Sequence, residues 1–192
     1  MASKVQVSIS TVGHSTHSIG DFIAILQAHG VRQLVDVRTM PRSRRVPQFN
    51  KEKLPGSLKA AGIRYRHMPG LGGLRHPKRD STNTGWRNTS FRGYADYMQT
   101  PEFKENLETL IKLAAQAPTA IMCAEAVPWR CHRSLIADAL VAKGIQATEI
   151  LSAKRSRPHA LTPFAQLNGA EVTYPGTAVK TPENLELEFD GH

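Results

Sequence analysis

Predicted strands alternate with predicted helices along most of this chain of 192 residues, and the alternation leaves few architectures open to it. The first strand, over residues 5–12, is rich in β-branched residues, and a helix capped by Ser18 follows it. Further strands are predicted at 31–37, 63–68, 119–123 and 145–151, and further helices at 53–62, 91–99, 101–116 and 131–143. Such a chain forms a mostly parallel sheet with helices on both faces. We therefore predict a single α/β domain.

Two regions depart from this pattern. Residues 69–92 form a long polar loop without periodicity, which is typical of a functional loop or a disordered one, and we expect a lid. After Ser152 the only predicted strand is the short piece at 171–175. We expect the domain to span residues 1–175 and the tail at 176–192, which offers little to bury, to be poorly ordered.

Polar residues follow the ends of three predicted strands. Ligands of open α/β sheets bind beyond the carboxyl ends of the strands, so these residues are candidates for one site. They are His14 and Ser15 after the first strand, Asp36, Arg38, Arg42 and Arg45 after the second, and Cys123, Glu125, Arg130, Cys131, His132 and Arg133 after the strand at 119–123.

The stretch CAEAVPWRCHRS, residues 123–134, contains both cysteines of the chain. Cys131 is predicted at the start of a helix, beside Arg130, His132 and Arg133. Unpaired backbone N–H groups and neighbouring cations favour a thiolate there. Cys123, at the end of a buried strand, is either the true nucleophile or an inert core thiol, and the spacing favours Cys131.

The remaining polar residues of the site receive predicted roles from their chemistry. Arg38, Arg130 and Arg133 would bind negative charge. Glu125, His14 or His132 would move protons. The residues expected to contact a substrate are Ser15, Asp36, Arg38, Arg42, Arg45, Arg130, Arg133, Trp86 and Trp129.

Each of these residues also has a structural interpretation. Cys123 is a small apolar residue that a core can bury, and Trp129 can serve packing alone. Glu125 can hold the loop through an ion pair with Arg130 or Arg38. A metal site from Cys123, Cys131, His132 and His14 lacks paired ligand spacing, so we expect neither a metal nor a cofactor.

The charge of the chain favours anionic partners. It has 25 Lys and Arg against 16 Asp and Glu, a formal net charge of +9. The basic residues gather at 38–45, 75–92 and 154–157. This excess predicts binding of nucleotides, nucleic acids or phosphorylated metabolites without choosing among them.

The composition also bears on the compartment. No stretch has the length and apolar character of a signal peptide or a membrane span, so we expect no membrane partner and a cytoplasmic location. Two cysteines cannot build a disulfide framework, and in a reducing compartment a close pair is more often reactive, metal-binding or buried. Nothing in the sequence indicates an oligomeric state.

Several blocks of the sequence resemble the family called domain of unknown function 488. They are TVGHST, LVDVRTMPRSRRVPQFN, LGGLR, FRGYADYM, CAEAVPWRCHRSLIAD, the H-x-L-T piece at 159–162 and the final Tyr-Pro. The resemblance extends from Thr11 through Tyr174. It implies a Rossmann-like three-layer sandwich and supports the grouping of the polar residues into one cluster. It supplies no reaction.

Two better-understood cysteine families are similar in topology but differ in loop length. In tyrosine phosphatases an arginine follows the cysteine after five residues, whereas Arg130 lies seven positions after Cys123 and the loop contains Pro128 but no glycine. The loop of rhodanese-type sulfur transferases is also shorter. The phosphate-binding motif itself is therefore absent from this sequence.

Three functional hypotheses remain open. The first is a cysteine-dependent hydrolase or transferase acting on an anionic, phosphate-bearing substrate. The second is a non-catalytic nucleic-acid-binding protein, in which arginines contact phosphates and Trp86 and Trp129 stack on bases. The third is a redox-sensing pair that closes a Cys123–Cys131 disulfide, which requires that the two Cα atoms do not lie well beyond about 7 Å.

Overall fold

Six strands form one sheet in a computed structural model that describes residues 7–176. Their order is β3-β2-β4-β1-β5-β6, and all neighbouring pairs are parallel except β5 with β6. The strands of this sheet are β1 (Ser8–Gly13), β2 (Gln33–Asp36), β3 (Arg64–His67), β4 (Thr119–Cys123), β5 (Gln146–Ser152) and β6 (Arg155–Pro158). The predicted α/β fold with a mostly parallel sheet is confirmed.

Five helices connect the strands, and all five were predicted from the sequence. They are α1 (Ile19–Ala28), α2 (Leu54–Ala60), α3 (Thr89–Met98), α4 (Pro101–Ala114) and α5 (Arg133–Ala142). The Ser18 hydroxyl caps α1 by accepting a hydrogen bond from the Asp21 N–H at 3.1 Å. Thr100 caps α4 in the same way, through the Phe103 N–H at 3.3 Å. These caps are the ones that the sequence pattern predicts.

Several predicted helix boundaries differ from the structure by two residues, and the one at the start of α5 bears on the site. Helix α5 begins at Arg133, whereas the sequence pattern places its start at Cys131. A short 3₁₀ turn over Pro128–Arg130 precedes it and leaves Cys131 in an extended conformation, with φ −132° and ψ 142°. Because that conformation is not helical, Cys131 lies before the cap of α5, which is His132.

The sheet separates two apolar clusters, which makes three layers. Ile9, Val35 and Ile121 face the layer of α3, α4 and α5. The alternate strand residues, such as Leu34 and Met122, face α1 and α2. Cys123 and Cys131 both belong to the first cluster, so the cysteine loop closes over the α3–α4–α5 side of the sheet.

The long loop predicted at 69–92 is tied to α3. A 3₁₀ turn covers Pro69–Leu71, and the described chain between Leu71 and Thr89 contains neither helix nor strand. The Asp96 carboxylate accepts hydrogen bonds from the Lys78 N–H at 2.8 Å, from Ser81 Oγ at 2.7 Å and from Asn83 Nδ2 at 2.8 Å. These bonds hold residues 78–83 against α3.

The chain after β5 contains more strand than the sequence predicts. β6 extends the sheet, and β7 (Gln166–Asn168) pairs with β8 (Glu171–Thr173) in a separate hairpin. Only the piece at 171–175 was predicted, because every residue of β6 and β7 is exposed and the apolar alternation that marks a half-buried strand is missing. Of the tail predicted to be poorly ordered, residues 177–192 lie outside the described residues.

Within residues 7–176, no helix is both long enough and apolar enough to cross a bilayer.

Candidate active site

The ends of β1 and β4 are joined just beyond the sheet, and glycine makes this possible. The N–H of His14 donates to the Cys123 carbonyl at 3.0 Å, and the N–H of Ser15 donates to the Ala124 carbonyl at 3.0 Å. A Cβ atom at Gly13 would overlap the carbonyl of Glu125. The loop can therefore approach β1 only because residue 13 has no side chain.

Arg38 neutralises a buried carboxylate at the end of β2. Its Nε and Nη2 donate to the two oxygens of Asp36 at 2.9 and 2.6 Å, and Nη2 also donates to the Phe49 carbonyl at 2.8 Å. Asp36 is fully buried and accepts a further hydrogen bond from the Tyr65 hydroxyl at 2.9 Å. Most donors of Arg38 are thus engaged within the protein.

His14 holds the remaining side of the Arg38 guanidinium. Its Nδ1 donates to the Ser15 carbonyl at 2.8 Å, so Nε2 carries the lone pair that accepts from Arg38 Nη1 at 3.1 Å. Burial, with a further contribution from the charge of Arg38, lowers the pKa of His14 to about 4. The ring is neutral at pH 7 and its acceptor is occupied, so these contacts position Arg38.

The sulfur of Cys123 receives two hydrogen-bond donors. Nη1 of Arg133 lies 3.6 Å from Sγ, and the N–H of Glu125 lies 3.4 Å from it. Arg133 is fully buried and also donates to the carbonyls of Glu125 and Ala126, the latter at 2.9 Å. A guanidinium and an amide directed at one sulfur stabilise a thiolate.

Arg133 stays charged although it is buried. Burial lowers its pKa to about 10, while the charges of Glu149 and Glu125 act in the opposite direction. No carboxylate oxygen within residues 7–176 comes within 4.0 Å of its nitrogens. Its Nε is buried without a hydrogen-bond partner among these residues. A buried cation without a bonded carboxylate stabilises a negative charge on a neighbouring group. Cys123 is the neighbour that can become negatively charged.

Cys131 has a different partner. Its Sγ lies 3.7 Å from Nδ1 of His132, whose Nε2 is 3.3 Å from the Val37 carbonyl. Because Nε2 must donate to that carbonyl, Nδ1 is the acceptor facing the sulfur. Burial lowers the pKa of His132 to about 4, so the ring is neutral at pH 7. The contacts therefore favour a thiolate at Cys123 more than at Cys131.

The two cysteines are joined as a disulfide in the structure. Their Cα atoms are 7.6 Å apart, above the range of about 4.4–6.8 Å that is usual for a disulfide. Both cysteines are buried, with 5% of each residue exposed.

A metal ion would find three potential ligands here. Cys123 Sγ, Cys131 Sγ and His132 Nδ1 lie within 4.8 Å of one another, a donor set suited to zinc or another soft cation. The disulfide removes both thiolates, and the buried charge of Arg133 opposes a second cation. His14, the fourth ligand considered from the sequence, directs its free nitrogen at Arg38 instead.

The other predicted residues lie at the surface or in an aromatic cluster. Arg42, Arg45, Glu125, Trp129 and Arg130 are exposed. The Glu125 carboxylate accepts from the Val127 N–H at 3.3 Å and forms no ion pair among the described residues. Trp86 packs against Phe91 and Phe164, at ring-centre distances of 4.7 and 4.9 Å.

The fold brings together one group of predicted site residues that are linked by hydrogen bonds and by the disulfide. They are His14, Ser15, Asp36, Arg38, Cys123, Cys131, His132 and Arg133.

A buried polar network next to this group was not among the predicted site residues. His159 bonds to Glu149 through Nδ1 at 2.9 Å and to Asp138 through Nε2 at 2.8 Å. Asp138 also accepts from the hydroxyls of Thr162 and Tyr174 at 2.7 and 2.8 Å. A signal for it was present, because Asp138 and Glu149 each interrupt an apolar run that the fold buries.

The contacts of His159 favour its positively charged form. Both of its ring nitrogens face carboxylate oxygens, which only accept, and only the doubly protonated ring can donate to both. Burial opposes this charge, but the hydrogen bonds and charges of Asp138 and Glu149 outweigh it and raise the pKa of His159 above its ordinary value of 6.5.

The comparison with known families identifies the chain. The model of a family described as domain of unknown function DUF488 matches residues 18–140. The chain belongs to this family. The matched range runs from the cap of α1 to the last turns of α5, so the DUF488 region contains Asp36, Arg38 and the whole cysteine loop. No curated protein and no solved structure matches the chain.

Proposed function

We propose that this DUF488 protein is a cysteine-dependent hydrolase or transferase that acts on an anionic, phosphate-bearing substrate, with Cys123 as the nucleophile. The observation that carries the proposal is the pair of donors on the Cys123 sulfur, Arg133 Nη1 at 3.6 Å and the Glu125 N–H at 3.4 Å. A thiolate is the reactive form of cysteine, and these donors favour it at neutral pH.

The covalent step follows from this assignment. In the reduced protein the lone pair of the Cys123 thiolate attacks the phosphorus of the substrate. The S–P bond forms as the bond from phosphorus to the leaving oxygen breaks, and that oxygen takes a proton from water. A water molecule, or an acceptor hydroxyl in a transferase, then attacks phosphorus and gives up its proton to solvent. The S–P bond breaks and the thiolate is restored.

The surroundings of the loop support an anionic substrate. Arg42, Arg45 and Arg130 are exposed, and their side chains have no hydrogen-bond partner within residues 7–176. The chain as a whole carries a formal net charge of +9. These cations attract a phosphate group toward the edge of the sheet where Cys123 lies.

A redox function is the second candidate, and the disulfide between Cys123 and Cys131 favours it. In that case Cys131, which lies beside the acceptor nitrogen of His132, is the partner thiol. Two thiols lose two protons and two electrons to an oxidant as the bond forms, and an external thiol reverses the reaction. The two candidates share the reactive Cys123 and differ in what it attacks.

Alkylation of each cysteine tests the proposal. The reduced protein is treated with iodoacetamide between pH 5 and 9, with and without nucleotides, RNA and DNA, and each site is quantified by mass spectrometry. We expect Cys123 to react readily at pH 7, where an ordinary thiol is mostly protonated, and to be protected by one class of phosphate-bearing ligand.

Other outcomes decide between the alternatives. If both thiols react only at the pH of an ordinary cysteine, the nucleophile assignment is wrong. Binding of nucleic acid that weakens steeply with salt, and that survives both Cys123→Ser and Cys131→Ser, would instead support the non-catalytic alternative. A thiol count that falls and recovers with mild oxidant and reductant, without ligand protection, would support the redox pair.

A further inference from the structure

A cleft of about 380 Å³ lies beside the cysteine loop, between the start of α5 and the chain that follows β5. Its volume is in the range of about 300–1,000 Å³ that small-molecule sites occupy. The lining residues used below are Trp86, Trp129, Ser134, Arg157, His159 and Phe164. The hydroxyl of Ser134 donates to the Cys131 carbonyl at 2.9 Å, so the cleft and the cysteine pair share one loop.

One wall of the cleft is aromatic. Trp129, inside the cysteine loop, leaves 62% of its surface exposed, and Phe164 leaves 36% exposed. Trp86 packs against Phe164 and Tyr174 and closes the wall from behind. An indole this exposed stabilises the protein little through burial, and its exposed surface is available to contact a planar ligand.

The positive charge of the cleft lies over the Trp129 ring. Nε of Arg157 donates to Glu149 at 2.7 Å, and its guanidinium carbon lies 5.4 Å from the centre of the Trp129 ring. The side chain of Arg157 is 51% exposed, and its Nη groups have no hydrogen-bond partner among the described residues. His159 contacts the same Glu149 carboxylate through Nδ1 at 2.9 Å.

The carboxylates beside the cleft are already engaged. Glu149 contacts Arg157 and His159, and Asp138 contacts His159, and both carboxylates are buried. Each carboxylate already accepts hydrogen bonds from within the protein. The free donors of Arg157 match a ligand with an anionic group.

We propose that this cleft binds a nucleotide, whose base stacks on Trp129 and whose phosphate contacts the Nη groups of Arg157. A nucleotide combines the two chemistries that the walls offer, a flat aromatic ring and an adjacent anion. The proposal rests on the function proposed above and narrows it, because it assigns a substrate class to an enzyme whose nucleophile lies at the other end of the same loop.

Fluorescence of Trp129 is the direct assay. The chain has 2 tryptophans, so Trp86→Phe leaves Trp129 as the sole indole. We expect AMP to quench its fluorescence saturably, because the stacked base contacts the indole. Adenosine, which lacks the phosphate, and ribose 5-phosphate, which lacks the base, should each bind at least tenfold more weakly than AMP.

Variants and calorimetry locate the ligand. Trp129→Leu and Arg157→Gln should each weaken AMP binding at least tenfold. Arg155→Gln, an exposed arginine of the same strand that does not line the cleft, should bind AMP within twofold of the parent. Thermal unfolding of every variant verifies that the fold is retained. Equal binding by Trp129→Leu and Arg155→Gln, or no AMP binding at millimolar concentration, would overturn the proposal.

A trinucleotide distinguishes the two sources of a nucleotide. If it binds more tightly than AMP and still requires Trp129, the natural ligand is the end of a single strand; if AMP binds equally well or better, it is the free nucleotide. Both results support the cleft.

The cleft and the proposed function can fail separately. AMP binding by the Cys123→Ser variant, together with ordinary alkylation of Cys123 in the parent, would refute the function and leave the cleft. A reactive Cys123 in a protein that binds no AMP would refute the cleft alone.

Discussion

Replacement of Arg133 by methionine tests the contact on which the active-site proposal depends. The guanidinium lies 3.6 Å from the Cys123 sulfur and is fully buried. Two unit charges about 4 Å apart interact by about 4 kcal/mol at an effective dielectric constant of about 20. Since about 1.4 kcal/mol changes a protonation equilibrium tenfold, a third of this energy already moves the alkylation profile by about one pH unit. The Glu125 N–H remains and retains part of the stabilisation.

The assay is the pH profile of Cys123 alkylation in a Cys131→Ser background, so that no disulfide interferes. We expect Arg133→Met to move the midpoint upward by at least about one pH unit, and Arg133→Lys to move it less, because lysine keeps the charge. The profile is compared instead of a single rate, since Arg133→Met also removes two hydrogen bonds that hold the loop, and a looser loop would expose the sulfur at every pH.

Arg130→Met is the matched control. It removes the same charge from the same loop, but Arg130 is exposed and its side chain has no hydrogen-bond partner within residues 7–176. Its profile should stay close to that of the parent, because an exposed charge is screened by solvent. If Arg133→Met and Arg130→Met give the same midpoint, the Arg133 contact does not stabilise the thiolate and the nucleophile assignment loses its basis.

Three further predictions concern stability, measured by chemical denaturation. Gly13→Ala should lower the free energy of unfolding by about 1–3 kcal/mol, because its Cβ overlaps the cysteine loop, whereas Gly20→Ala, with no atom nearer than 3.9 Å, should be neutral or stabilising. The raised pKa of His159 stabilises the fold below about pH 6.5, and this stabilisation is lost as the pH rises through the pKa of His159 in the folded protein. His159→Gln should therefore reduce the fall in the free energy of unfolding over that pH range. The pKa values of His14 and His132 are lowered to about 4, so each of these buried rings should lower the free energy of unfolding by up to about 3 kcal/mol as the pH falls from 6.5 to 4. A free energy of unfolding that stays constant over this pH range would contradict the buried neutral rings.

Most of the fold could be predicted from the sequence because burial leaves a strong periodic signal. Strand β4, predicted at 119–123, is observed over the same residues, since both of its faces are covered and the run is continuously apolar. The strands β6 and β7 were missed because they are exposed on every residue and have no apolar face. Their pairing depends on backbone hydrogen bonds, which the side-chain pattern does not record.

The candidate site was predictable as a group but not in its pairings. The rule that polar residues beyond parallel strands converge predicts that His14, Arg38 and Cys123 lie close together, and His14 contacts both of the others. The pairing of donors with sulfurs depends on the 3₁₀ turn at Pro128–Arg130. Because of this turn, α5 begins two residues later than predicted. That shift moves Cys131 out of the first turn of the helix and directs Arg133 toward Cys123.

The charge balance around Arg133 connects the cysteine pair to the cleft. Arg133 interacts with Cys123 through Nη1 and is attracted by Glu149, which in turn accepts from Arg157 and His159. The charge of Glu125 also acts on Arg133. A thiolate at Cys123 would interact with Arg133, and a phosphate in the cleft would interact with Arg157. Because two negative charges in one region disfavour each other, a nucleotide in the cleft should raise the pKa of the Cys123 thiol and lower the population of its thiolate.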